Sequence, residues 1–407
     1  MKKKIKKQIL IIGGGYCGCS IARILSDRGF EVKIFEQTSR IGGMAISYYK
    51  EGMVFELGPH VIANHASNQL SMEFLKKYIK LNPTVIHSAT YIQNKYLNYP
   101  PLYQDIKHLK QNHKIFKELL NLPSKPDIKN FETYLISKVG ISLYKIYFKS
   151  FTKKFWKINP RLLSHKWAKL RHLGSSLSEK QMYFNNKFCS YPKLDFNELF
   201  VNLSKNINIL FNHKITKIDF KNSTIETSTG QKFTGDLIIS TISIDELLRF
   251  RFNKLAYRGY SIKPVIIHKS YFHPIDSKTH KHFGIVYYPE NNYTHTRITE
   301  YKSYNQKHNT PAFINRTLIT VETPSKIKKY YPIMNDENED IFKKNIRLIS
   351  DYNRVVSLGR LGLYKYMTLD TTTEQIFRFL KYFDKWTEIS SREREAAYMI
   401  IRGSWDN

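Results

Sequence analysis

The sequence predicts an α/β protein in which a Rossmann-like, parallel-sheet domain is interrupted by a helical insert domain and an antiparallel β-sheet domain. Three observations predict it. Near the N-terminus, "QILIIGGGYCGCSIARILSDRGFEVKIFEQ" reads as strand, glycine turn, helix and second strand. From Asn68 to about Tyr183, apolar residues recur at helical spacing with few glycines. Beyond that, short alternating strands dominate until "RVVS" (Arg354–Ser357) runs into the turn "LGRLG".

The first element carries the most chemistry. Gly13, Gly15 and Gly18 form GxGxxG. One glycine serves the tight turn, one the close approach of a diphosphate and one the packing of helix on strand. N–H groups at the helix start then face the diphosphate. The second strand, "EVKIFE", ends at Glu36, 23 residues after Gly13, where a carboxylate meets the adenosine ribose. A dinucleotide cofactor follows from the four features together.

The middle of the chain divides by period. "LSMEFLKKYIKL", "DIKHLKQNHKIFKELLNL" and "NFETYLISKVGISLYKIYFKSFTKKFW" have helical spacing. "NINILFNHKITKIDFKNSTIETSTGQKFTGDLIIST" turns to β and re-enters the first domain; "KPVIIHKSYF", "HFGIVYY" and "NRTLITVET" alternate as antiparallel strands do. The expected boundaries are 1–67, 184–244 and 346–407 for the cofactor-binding domain, 68–183 for the helical insert and 245–345 for the substrate-side sheet.

Composition narrows the function. The chain has 407 residues, 42% of them hydrophobic, enough for more than one core. Its net charge of +31 comes from scattered lysines, with no basic tail and no helix-turn-helix or zinc-finger spacing, so nucleic acid is not expected as a partner. Cys17, Cys19 and Cys189 are too few for a disulfide frame, and no metal site is expected. No apolar run approaches the ~20 residues that span a bilayer. The basic start resembles an export signal, but its apolar run is only Ile9–Ile12, which reads as a strand; a cytoplasmic protein is expected.

Two resemblances add to this. "QTSRIGGMA" after Glu36 places Arg40, Gly42 and Gly43 as in the Arg-x-Gly-Gly segment of glutathione-reductase and amine-oxidase type flavoproteins, which implies FAD rather than NAD. Along nearly the whole chain, "RIGGMA", "FELGPHVI", "KYLNYPP", "FTKKFWKINP", "YFNNKF", "YTHTRITEYK", "YYPI" and "GRLGLYKY" resemble, in order, the motifs of the flavin-dependent UDP-galactopyranose mutase family of bacteria. The resemblance implies an isomerase that interconverts pyranose and furanose forms of a nucleotide sugar. In that family reduced FAD attacks the anomeric carbon through N5, splitting one difficult exchange into easier covalent steps.

The resemblance also implies roles. Arg360 and His60 lie beside the flavin, with a buried structural histidine the alternative for His60. Arg297 of "TRITE" pairs two diphosphate oxygens in a fork. Tyr364 and Tyr366 reach the same diphosphate. Trp156 lines the sugar pocket, with simple core filling as the alternative. Asn98, Tyr183 and Tyr330 contact the nucleotide sugar.

Three positions depart from the family pattern. Ala63 stands where a second histidine is usual. Ser176 stands where a mobile-loop arginine is usual, with Arg171 and His172 nearby, and Arg171 is the candidate replacement. Thr368 stands in place of an acid, with Asp370 two residues on. A different sugar nucleotide, an amine-oxidase or desaturase-type oxidoreductase, and a flavin-binding protein without catalysis are therefore the alternatives. The expected partner is a nucleotide sugar; a homodimer and peripheral membrane association are compatible with the sequence.

Overall fold

The computed structural model describes residues 7–63, 69–171, 173, 189–276 and 280–403. Gln8–Ile12 (β1) is a nearly continuous buried apolar run, as a strand covered on both faces must be. Tyr16–Asp27 (α1) and Glu31–Phe35 (β2) complete a βαβ unit. β1 pairs in parallel with β2 on one side (Ile11 opposite Ile34) and with Leu237–Ser240 on the other (Ile11 opposite Ile239). Asn208–Leu210 and Val355–Ser357 extend this to five strands, all parallel. Their carboxyl ends open on one edge, and the segments that follow them gather there. That edge is where open α/β sheets place ligands.

The glycine turn after β1 closes only without side chains at two positions. Gly13 has φ +101°, and a Cβ on Gly18 would lie 1.9 Å from the Gly13 carbonyl oxygen.

A second sheet of seven strands runs in the order Tyr331–Pro332, Tyr257–Ile267, Thr317–Ser325, Arg297–Glu300, Ile285–Tyr287, Ser88–Ile92 and Lys95–Asn98. It is antiparallel except where Ile285–Tyr287 meets Ser88–Ile92 in parallel. The last two strands come from within the stretch that helical spacing assigns to the insert. They form a hairpin whose turn residues, Gln93 and Asn94, have φ of +51° and +61°, the left-handed pair of a type I′ turn. Two short strands between longer helical segments leave little trace in an average over the region.

The insert proper follows from Tyr103. Its helices include Asn112–Leu120, Phe131–Leu143, Ser150–Trp156 and His165–Leu170, around a core of Phe131, Leu135, Leu143, Phe148, Phe155 and Trp156. Asn130 starts one of them, its side chain accepting from the Thr133 N–H at 3.0 Å. Among the described residues, no helix is long and apolar enough to cross a membrane.

Candidate functional site

A cavity of about 790 Å³ is lined both by the carboxyl edge of the parallel sheet and by residues of the seven-stranded sheet. At the first end lie Gly13, Gly15, Glu36, Gly42 and Gly43. Gly15 precedes α1 and offers no side-chain cap, which leaves the helix's first N–H groups for a ligand. A Cβ built on Gly15 meets nothing within 4 Å. The glycine expected to admit a diphosphate thus borders open space, and the residues fit a dinucleotide.

Glu36 is held rigidly at the same end. Its Oε2 accepts from the Gly14 N–H at 2.8 Å, and its Oε1 accepts from the Thr38 N–H at 2.9 Å and the Thr38 hydroxyl at 2.8 Å. A carboxylate offers about four acceptor sites, so one remains for a ribose hydroxyl.

At the other end stand Arg171, Arg297, Arg360, His60, Tyr330, Tyr331 and Tyr366. Arg297 is buried, and its Nε and Nη2 donate to one oxygen of Glu322 at 2.8 and 2.5 Å. Glu322 is fully buried and also accepts from the Thr299 hydroxyl at 2.6 Å. Burial alone would lower the Arg297 pKa, but Glu322 holds it well above its ordinary value. The fork expected to grip a diphosphate is therefore partly engaged within the protein. Only Nη1 lacks a hydrogen-bond partner among the described residues.

Arg360 staples two chain segments to the cavity wall: Nε donates to the Met367 carbonyl at 3.1 Å and Nη1 to the Tyr330 carbonyl at 3.1 Å. Its guanidinium lies 4.9 Å from the Tyr366 ring centre. Arg171 donates to the Tyr366 hydroxyl at 3.2 Å, and the Tyr366 ring stacks on Tyr331 at 5.6 Å. Three guanidiniums with Lys214 and Lys329 face only Glu36 and Glu246 as acidic lining residues. A cleft lined mainly by one sign of charge concentrates ligands of the other.

Five expected site residues lie outside this lining; one of them, Gly18, packs against the Gly13 carbonyl beneath the turn. Tyr364 is turned into the core, where its hydroxyl donates to the Ala256 carbonyl at 2.5 Å, accepts from the Ile333 N–H at 3.1 Å and lies 3.1 Å from the Ile333 carbonyl. Residues 364 and 366 would share a face only in an extended strand. Here they follow the helical turn Gly359–Gly362, and Tyr364 itself has φ +44°, so the two phenols diverge. Trp156 is 2% exposed and packs edge-on against Trp167 at 5.0 Å, behind Tyr331. It fills core, the alternative the sequence had left open. Asn98 donates to the buried Asp105 at 3.1 Å. Arg40 is exposed, its guanidinium 4.2 Å from the Tyr48 ring centre. Tyr183, His172 and Ser176 lie outside the described residues.

The cavity also gathers residues that sequence reasoning did not single out: Tyr331, Thr241, His213, Lys214 and Lys329. Tyr331 was within reach, since it adjoins Tyr330 in "YYPI". Lys214 and Lys329 sit in polar turns with no local pattern to mark them.

His60 faces the arginines. Its Nδ1 is buried without a hydrogen-bond partner among the described residues. Burial, then Arg360, then Arg297 lower its pKa to about 3. The ring is therefore neutral at neutral pH, able to orient a ligand through its one N–H but not charged to act as a general acid. An unfolded histidine takes up its proton near 6.5, so this group costs the folded state stability as pH falls from about 6.5 towards 3. His60→Gln is expected to flatten that part of the stability–pH curve, measured by urea unfolding at pH 7 and pH 4.5. An unchanged slope between the two would show that His60 protonates freely.

The UDP-galactopyranose mutase family model matches residues 146–366, and a NAD(P)-binding Rossmann-like model matches residues 11–78. A probable UDP-galactopyranose mutase of Klebsiella pneumoniae is 23% identical, over 91% of this chain and 93% of its own. A dTDP-fucopyranose mutase of Escherichia coli is 24% identical, over 90% and 96%. The solved structure of reduced UDP-galactopyranose mutase superposes with a TM-score of 0.77 at 18% identity, covering 96% of this chain and 99% of that one. With more than half of its length matched by the family model and a cavity that joins a dinucleotide cradle to an arginine-lined pocket, the chain belongs to the UDP-galactopyranose mutase family.

Proposed function

We propose that this protein interconverts the pyranose and furanose forms of a nucleotide sugar, with UDP-galactopyranose as the leading substrate and FAD as the resident cofactor. The observation that carries the reading is the single cavity in which Gly15, Gly43 and Glu36 lie at one end and Arg171, Arg297 and Arg360 at the other. Family membership makes the chain an isomerase and its cofactor a flavin.

The residues divide the work. Gly13, Gly15, Gly42, Gly43 and Glu36 would hold FAD along the carboxyl edge of the parallel sheet. Bound in its reduced form, FAD supplies through N5 the nucleophile for the anomeric carbon. The guanidiniums of Arg171 and Arg297 receive the substrate diphosphate and stabilise the charge that grows on it as the bond to the sugar breaks. Arg360, tied to the Met367 and Tyr330 carbonyls, fixes the wall between cofactor and sugar and adds positive charge to it. Tyr331 and Tyr366 form a stacked aromatic wall that excludes water, and the Tyr366 hydroxyl sets the position of Arg171. Neutral His60 orients without protonating.

The similar identities to a UDP-galactopyranose mutase and a dTDP-fucopyranose mutase keep dTDP-fucopyranose as a second substrate reading. The test incubates dithionite-reduced protein with UDP-galactopyranose, dTDP-fucopyranose and other sugar nucleotides, and separates products by chromatography. A new furanose peak is expected with one substrate, only with reduced enzyme and without stoichiometric loss of reductant. Equal turnover by oxidised enzyme would overturn the covalent flavin mechanism, and reductant consumed in step with product would favour an oxidoreductase.

A further inference from the structure

The positive charge is not spread evenly. Residues 103–171 contain 16 Lys and Arg against four Asp and Glu, so this insert holds +12 of the chain's +31. Within it, residues 103–130 form one outer segment, comprising the short helix Tyr103–Ile106, the helix Asn112–Leu120 and the connection that follows. The segment is anchored by Ile106, Leu109 and Ile115, all part of the insert core. Lys107, Lys110, Lys114, Lys117, Lys125 and Lys129 are exposed, and none makes an ion pair among the described residues.

The acids of the segment are turned away. Asp105 is buried, accepting from Asn98 at 3.1 Å and from the Leu102 N–H at 3.0 Å. Glu118 accepts from the Ser142 N–H at 2.8 Å and hydroxyl at 2.7 Å. Only Asp127 is exposed, and it accepts from the Lys129 N–H. Among the lysines stand large apolar side chains left in water: Leu120 is 87% exposed and Ile128 63%. Folding gains nothing from either at those positions.

We propose that residues 103–130 are a docking surface for an anionic lipid bilayer, the lysines lying over the headgroups and Leu120 and Ile128 entering the acyl boundary. Lysines near such a surface are each attracted by its negative potential, and exposed aliphatic groups add a term that salt does not screen. A nucleic acid fits less well. Lysines attract the phosphates of either partner, but bases are read largely by arginine and stacked on aromatics, and this segment has no arginine and one largely exposed aromatic, Tyr103.

The test uses the full-length protein and co-sedimentation with vesicles of phosphatidylcholine alone or mixed with phosphatidylglycerol. Partitioning onto the mixed vesicles is expected to be about tenfold or more above that onto phosphatidylcholine. The triple variant Lys110→Glu/Lys114→Glu/Lys117→Glu should lose about tenfold or more of it. Leu120→Ser/Ile128→Ser should lose several-fold, and chiefly the part that persists in raised salt. Lys205→Glu/Lys221→Glu/Lys232→Glu, which removes the same charge elsewhere on the surface, should stay within about twofold of wild type. All these side chains are exposed, and circular dichroism checks that each variant is folded. No preference for the anionic vesicles, or an equal loss in the second lysine triple, would overturn the proposal. So would tighter capture by duplex DNA that the first triple abolishes, which would make the segment a nucleic-acid site.

Discussion

Arg297→Ala is expected to destabilise the protein by about 3–5 kcal/mol, the cost of leaving a buried charge unpaired. The reason is Glu322. It is fully buried, both Nε and Nη2 of Arg297 donate to its Oε2, and the Thr299 hydroxyl bound to its Oε1 is too weak a partner for a carboxylate without water. The same substitution should also weaken nucleoside-diphosphate binding, because Arg297 lines the cavity and its Nη1 has no hydrogen-bond partner among the described residues. The two effects separate in Arg297→Met/Glu322→Met, which replaces the pair by apolar groups of similar size. That variant should recover most of the lost stability and none of the diphosphate affinity. Arg297→Lys should keep one link to Glu322 and recover part of both. Urea unfolding gives the first quantity, and fluorescence titration of the reduced protein with UDP the second. An Arg297→Ala variant that unfolds at the wild-type midpoint would show that the ion pair carries no stability. Unchanged UDP affinity in the Met/Met variant would remove Arg297 from the substrate site.

Two glycines of the first turn, three residues apart, should fail in opposite ways. In Gly18→Ala the new methyl would lie 1.9 Å from the Gly13 carbonyl oxygen, which is backbone and cannot yield without breaking the turn. That variant is expected to be insoluble or unfolded. Gly15→Val meets open space in the protein alone, so it should fold with a near-native unfolding midpoint and yet purify without flavin, because the side chain takes the place the diphosphate needs. The measurements are soluble yield and the ratio of flavin absorbance to protein. A yellow Gly15→Val protein with full occupancy would refute the cradle, and a soluble, flavin-loaded Gly18→Ala protein would refute the packing.

The sequence by itself determined the parts of this protein whose physics is local. A glycine turn needs residues without Cβ within six positions of one another, a buried parallel strand needs a continuous apolar run, and a ribose-facing acid must end the next strand. Gly13, Gly15, Gly18, β1, β2 and Glu36 could therefore be read in order. The motif string as a whole carried the family. The tertiary structure decided what depends on partners far apart in the chain. Whether Arg297 is free or paired depends on Glu322 in the neighbouring strand, 25 residues on. Whether Tyr364 or Tyr366 faces the cavity depends on one left-handed residue and on backbone groups more than 30 and 100 positions away. Arg171 enters the site only because the end of its helix reaches Tyr366 across 195 residues. Side-chain direction follows from backbone dihedrals and from which buried polar groups must be satisfied, and neither is set by the few residues on either side.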